Sequence, residues 1–345
     1  MPTVRQVTVT LLALASLALG ACSATSEDSG GGPAEPETEG ITLYSGRIAA
    51  AIGGAVDIYE EAADRDVQVR FAETGDLAAT LVEEGSNSPA DAFFAQEPGA
   101  IGAVAEQGLL ADLPQGILDR VPPQFRDPEG RWVGITGRAR TLAYGDDTER
   151  SELPDSPLEL TDSRWRSRVG WAPVTDSLQQ YVTALRLEYG DEVARDWVEG
   201  MIANDAVDYP NNVAVRDAIA NGEIDVGLLN HYYVAQAIAA EGPEYPVHVY
   251  FPPKGLGSLL LLTSAGVLES SDRKGEAFDF IRSLLAPESQ RYFTASSKEY
   301  PLARGVEPDP SLSVPLDEIP VPRGDLNDIA EVQATIELLQ DAGAL

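Results

Sequence analysis

Past residue 40 the chain alternates short apolar runs with amphipathic ones. The runs at 41–44, 67–71 and 92–95 are compact and rich in aromatic and β-branched residues, which predicts strands. The segments 49–63, 77–84 and 101–110 carry apolar residues at helical spacing. This β-α-β-α-β-α cadence predicts a mostly parallel sheet with helices on both faces. The cadence breaks at 131–136 and 139–144, a long extended stretch with no helix after it. A second block follows, with a strand at 169–171, helices at 178–189, 193–202 and 213–220, and strands at 224–229 and 247–251. A late apolar run at 259–263 precedes a helix-like segment at 275–285, and 325–341 reads as one amphipathic helix. Two α/β blocks joined by extended segments predict an α/β fold of two lobes with crossover strands, and the cleft between such lobes is the natural ligand site.

The first residues have a different pattern. Arg5, an apolar run at 11–19 and Leu19-Gly20-Ala21-Cys22 predict a processing signal over 1–21, too short for a comfortable membrane span. Leu-Gly-Ala-Cys resembles the lipobox of bacterial lipoproteins, in which the cysteine is lipidated. Cys22 is the only cysteine of the chain, so no internal disulfide can form, and its position is that of a lipid anchor. Residues 22–40 then read as a flexible acidic tether. The expected location is extracytoplasmic, on the outer face of the bacterial cytoplasmic membrane, held by lipid alone. A net charge of −32 argues against nucleic acid and against docking on anionic lipid through a basic face.

Little of the usual catalytic vocabulary is present. There is no Walker loop, no dinucleotide fingerprint after a strand, no HExxH and no Gly-x-Ser-x-Gly elbow. The two histidines, His231 and His248, have no nucleophile at triad-like spacing, and His248 reads as an edge-strand residue. With Cys22 the sole thiol, a zinc-thiolate site is excluded. Oxygen donors are abundant, and the most informative are in Asn230-His231-Tyr232-Tyr233, between the strand at 224–229 and a helix-like run at 234–240. Two adjacent tyrosines there put two phenol oxygens at a sheet edge, where open α/β sheets bind ligands. They read either as half-buried packing aromatics or as a site for a hard, highly charged cation. Tyrosine titrates near 10, so cation binding to phenolates would release protons.

The segments Tyr209-Pro210-Asn211-Asn212-Val213-Ala214, Ala218-Ile219-Ala220-Asn221-Gly222-Glu223-Ile224-Asp225 and Asn230-His231-Tyr232-Tyr233 together resemble the ferric-ion-binding proteins of bacterial ABC importers. Ile41-Thr42-Leu43-Tyr44-Ser45-Gly46-Arg47, Pro89-Ala90-Asp91-Ala92-Phe93-Phe94, Gly137-Arg138-Ala139-Arg140, Ser264-Ala265-Gly266-Val267 and Glu299-Tyr300-Pro301-Leu302 extend the resemblance over about 41–345. It implies a type II periplasmic-binding-protein fold, Fe(III) as the bound solute and Tyr232 and Tyr233 as its ligands. Where relatives carry a His after the opening strand this chain has Ile48, which cannot ligate. A first-lobe Glu ligand of relatives falls at Gln96, leaving Glu97 one position away, and Tyr181 stands near a further tyrosine ligand of some relatives. Tyr44 reads as packed at its strand end.

The resemblance also implies a synergistic anion, carbonate or phosphate. Thr175 and Ser177 at a helix start, with Asn211, Asn230 and Arg138, are the candidate contacts. Asp176 reads as a helix N-cap. The expected lobes are 41–140 plus 252–305 and 141–251 plus 306–345, closing by hinge motion on the ion. The expected partner is the permease of an iron importer, with the protein itself a monomer and not an enzyme. Two rival readings remain open: a same-fold binder of a polyamine, thiamine or an oxyanion, and a cell-surface hydrolase.

Overall fold

The computed structural model describes residues 40–312, 314–319 and 332–345. The expected signal segment, the Cys22 anchor, nearly all of the tether and the first part of the expected 325–341 helix therefore lie outside the described residues. The strands are β1 (Ile41–Ser45), β2 (Val67–Phe71), β3 (Ala92–Ala95), β4 (Trp132–Gly145), β5 (Val169–Trp171), β6 (Val207–Asp208), β7 (Val226–Asn230), β8 (Val247–Tyr250), β9 (Leu259–Val267) and β10 (Tyr300–Pro301). The helices are α1 (Ala49–Ala63), α2 (Thr74–Glu84), α3 (Pro98–Glu106), α4 (Gln115–Leu118), α5 (Asp176–Tyr189), α6 (Asp191–Ala203), α7 (Asn212–Ala220), α8 (Tyr232–Glu241), α9 (Lys274–Leu284), α10 (Pro287–Ser297) and α11 (Gln333–Ala342).

The sheet runs β2-β1-β3-β9-β4-β7-β5-β6, with β8 and β10 also pairing β4. Its two ends are parallel: β1 with β2 and β3, and β5 with β6 and β7. Its middle is antiparallel. β9 pairs β3 through Ser264–Val267 and pairs β4 along Trp132–Arg140, while β4 continues to pair β7 through Arg140–Tyr144. The two parallel blocks are thus joined by one long antiparallel pair, as the break in the cadence predicts. At 14 residues β4 is roughly 45 Å long, enough to belong to both blocks. Leu259, Leu260, Leu261 and Leu262 are all fully buried, because both faces of this pair are covered.

Close packing brings the helix starts to the sheet edge. At Gly227 a Cβ would come within 2.4 Å of Val215 Cγ1, so only glycine lets α7 lie this near β7. Tyr44 is buried with its hydroxyl bonded to Glu84, at its strand end as expected. Two expectations change. The helix at 101–110 starts earlier, at Pro98, and Leu110 instead bridges Leu268. The tyrosine pair lies in the first turn of α8 rather than ahead of it. The sequence reading also missed α10, whose buried face is largely polar: Ser289, Gln290 and Thr294 beside Phe293.

One buried ion pair anchors the junction. Arg47, just past β1, bonds both carboxylate oxygens of Glu299 at 2.7 and 2.8 Å, and Thr136 of β4 donates to the same carboxylate. Burial works to raise the Glu299 pKa, but Arg47, Arg138 and Thr136 outweigh it and hold the carboxyl below its usual range. A depressed carboxylate contributes stability above its unfolded pKa, near 4, and that contribution is lost as pH falls through the folded value. Glu299→Gln should therefore cost about 3–5 kcal/mol near neutral pH. The difference from wild type should shrink in thermal melts taken at successively lower pH; a difference independent of pH would contradict the assignment.

Candidate metal site

The site is built from chain ends of one kind. β3 ends into Gln96 and Glu97 before α3, β5 into Thr175 before α5, and β7 into Asn230 and His231 before α8. These are carboxyl ends of parallel strands, each followed by a helix start that presents unpaired N–H groups. Gln96, Glu97, Arg138, Thr175, Ser177, Asn211, Asn230, Tyr232 and Tyr233 all line one cleft of 370 Å³, together with Val174, Asp176, Gln180 and Asn212. A second space of 540 Å³ adjoins it, sharing Gln96, Glu97, Asp176 and Gln180.

Tyr232 and Tyr233 stand side by side, ring centroids 4.3 Å apart at 38°. Both are half-buried, as a ligand face requires of rings that also pack. Burial pushes the Tyr232 phenol well above its ordinary value, and the neighbouring Tyr233 hydroxyl adds to the rise; Asn230 and Arg138 oppose it. Asn230 is buried and offers its Nδ2 to the Tyr232 hydroxyl at 3.5 Å, while its Oδ1 has no partner among the described residues.

Opposite the phenols, Arg138 donates to the Gln96 carbonyl at 2.8 Å and to Glu97 Oε1 at 3.3 Å. Gln96 Nε2 donates to the same Glu97 oxygen at 2.9 Å. The Glu97 carboxylate is thus held in the cleft, and it is Glu97 rather than Gln96 that carries charge there.

Arg138 and Arg140 alternate on β4 and so share a face. Arg140 is wholly buried, and sequence reading did not single it out. It donates to Ser177 Oγ at 3.0 Å, Asn212 Oδ1 at 2.7 Å and the Leu228 carbonyl at 3.0 Å, all neutral acceptors. Burial pushes its pKa down to about 10, still charged at neutral pH. The available signal was two arginines at period two in an otherwise apolar strand.

Other candidates are placed differently. Tyr181 is buried, its hydroxyl donating to the Leu256 carbonyl at 2.8 Å, and it does not line the cleft. Its helical spacing points the ring to the core face of α5, where burial pushes the phenol up. Asn211 caps α7, its Oδ1 accepting from the Ala214 N–H at 2.9 Å. The cap position of α5 is Thr175, not Asp176, and the Thr175 hydroxyl donates to the Ala172 carbonyl at 2.7 Å. Ile48 is 71% exposed. His248 is exposed on β8, its Nε2 2.6 Å from Asp146. His231 is buried, both ring nitrogens bonded to main chain, and burial pushes its pKa down to about 4, so it is neutral.

Parallel-strand ends around a cleft, on two blocks joined by crossing strands, are the architecture of a solute-binding protein. The chain belongs to the bacterial extracellular solute-binding protein family, which matches residues 41–296. It is 31% identical over 321 residues to the major ferric iron-binding protein of Neisseria meningitidis serogroup A, covering 90% of this chain and 95% of that one. Its fold is similar to that of iron-bound HitA from Pseudomonas aeruginosa, with a TM-score of 0.77, 33% identity and coverage of 88% and 99% of the two chains. It is also similar to a Trichodesmium protein in complex with iron and citrate, with a TM-score of 0.76, 26% identity and the same coverage. The two-lobed α/β fold expected from the sequence is the one these structures share.

The Arg138–Glu97 pair is open to water on the Glu97 side, which is 25% exposed. Glu97→Gln should therefore change folding stability by no more than about 1 kcal/mol in thermal melts, because a partly solvated pair contributes little. A larger loss would make Glu97 a structural residue rather than one held ready in the cleft.

Proposed function

We propose that the chain is the extracytoplasmic solute-binding component of an ABC importer for Fe(III), holding the ion in the cleft through the phenolates of Tyr232 and Tyr233. The observation that carries this reading is the geometry of that pair: two phenols on adjacent rings, lining one polar cleft together with the Glu97 carboxylate. Phenolate and carboxylate are hard donors suited to a trivalent ion. The names of the relatives, ferric iron-binding and iron-bound, support the same solute.

Charge argues for an accompanying anion. The ion would bring three positive charges beside the guanidinium groups of Arg138 and Arg140. Tyr232, Tyr233, Glu97 and Asp176 supply four negative ones, and the positive charge left over favours an accompanying anion such as carbonate or phosphate. Thr175, Ser177, Asn211, Asn230 and Arg138 are the donors proposed for it, near the helix starts of α5 and α7. Glu97 enters the coordination sphere by leaving Arg138, which then turns to the anion. We assign no ligand role to Gln96 or Tyr181. The lobes proposed are 41–140 plus 252–305 and 141–251 plus 306–345, closing over the ion about the β4–β9 pair before the protein docks on its permease. A lipid at Cys22 would hold the protein at the membrane.

A second reading, a binder of a free oxyanion, is favoured by the two arginines and the helix starts. Ferric titration separates the two. Iron should give a visible phenolate-to-metal band at one equivalent, lost in Tyr232→Phe and Tyr233→Phe. Because each phenol must release its proton, apparent affinity should rise by about two decades per pH unit near neutrality. A colourless protein that binds phosphate equally with and without iron would favour the second reading instead.

A further inference from the structure

We propose that His231 is a positioning residue for the tyrosine pair: its ring fixes where the two phenols sit and ties them to the Arg47–Glu299 anchor on the other side of the crossing strands. The inference rests on the metal reading above.

His231 immediately precedes Tyr232 and is 1% exposed. Its main-chain N–H donates to the Ala139 carbonyl at 2.9 Å. Its Nδ1 accepts from the Ala139 N–H at 3.0 Å, and its Nε2–H donates to the Lys298 carbonyl at 3.0 Å. Those partners are 92 and 67 residues away in the chain. An apolar side chain would fill this volume without the cost of burying a polar ring, so the two bonds are what the imidazole adds. They set the ring plane, and with it the first turn of α8 from which Tyr232 and Tyr233 project. Tyr300 stacks on one face of the ring at 4.7 Å and 28°, and Tyr232 meets it edge-on at 5.9 Å and 82°.

The segment 298–300, which holds His231 through its first and last residues, is also tied to the far half of the sheet. Lys298 ends α10 in a left-handed conformation, φ 60°, and its carbonyl accepts the imidazole proton. Glu299, next in the chain, is clamped by Arg47 from the β1–α1 turn. Tyr300, next again, pairs Gly137 of β4 while its ring stacks on His231. A displacement of the Arg47 turn therefore reaches the phenols through two peptide units and one imidazole. The opening and closing of the cleft and the seating of the phenols are coupled through this path.

Three substitutions separate its parts. His231→Gln keeps an N–H donor near the Nε2 position, His231→Asn keeps an acceptor near Nδ1, and His231→Phe keeps only the volume. The ferric-loaded proteins are compared by the wavelength of the tyrosinate band and by the rate at which EDTA strips iron, beside their thermal melts. His231→Phe should shift the band and lose iron about tenfold faster or more, with the Asn and Gln variants in between. Should the Phe variant not fold, the Asn and Gln variants decide, and Tyr300→Leu, which removes the stacking surface and leaves the main-chain bonds, should shift the band the same way. Lower melting temperatures with wild-type band and stripping rate in every variant would overturn the proposal and leave His231 a packing residue. A wild type that stays colourless with ferric salt sinks the iron reading on its own; near-UV circular dichroism of the apo phenols then carries the comparison, and a spectrum unchanged by these substitutions would overturn the role of His231.

Discussion

Two half-buried phenols beside two guanidinium groups define the electrostatics of this protein. A phenol near its ordinary pKa is neutral at physiological pH, and burial pushes Tyr232 further toward the neutral form. The arginines favour negative charge in the same space, and among the described residues the partners of Arg140 are all neutral. On the proposed reading, protons, an anion and a strongly charged cation would exchange in this cleft as a set. A weakly charged cation would displace two phenol protons poorly with Arg138 in the cleft and Arg140 buried nearby. A trivalent ion accompanied by an anion would do so readily, and on the proposed reading selectivity would follow from that balance rather than from cavity size.

The fold delivers this chemistry by sharing strands. Because β4 belongs to both blocks, it places Arg138 in the cleft and Arg140 buried behind it, while the phenols, Glu97 and the helix starts come from the strand ends. The same strand carries Thr136, which bonds Glu299, and Ala139, which bonds His231. The contacts to Glu299, to Glu97 and to His231 are thus within a few residues of one another on a single element. On the proposed reading the blocks at either end would rotate about the pairing at its centre, as hinged binding proteins do.

How much of this was legible in the sequence depended on the range of the interaction. The alternation of strands and helices over 41–110 is local and could be read from periodicity. So could the tyrosine doublet, because a strand run ends directly before it. Arg140 could not: Ser177, Asn212 and Leu228, the residues that hold it, are 37, 72 and 88 residues away. The helix α10 hid because polar residues cover its inner face, Gln290 bonding the Ile135 and Leu284 carbonyls and receiving the Ala303 N–H. Tyr181 misled for the converse reason. Its chain position lies near the cleft, but its hydroxyl is taken by Leu256, 75 residues on.

The central claim is that both phenolates bind one ferric ion. Diffraction from crystals loaded with ferric salt, collected on either side of the iron absorption edge, tests it most directly. The account predicts a single anomalous peak in the cleft within bonding distance of the Tyr232 and Tyr233 oxygens. A peak elsewhere, or none with both hydroxyls still hydrogen-bonded to protein, would contradict it.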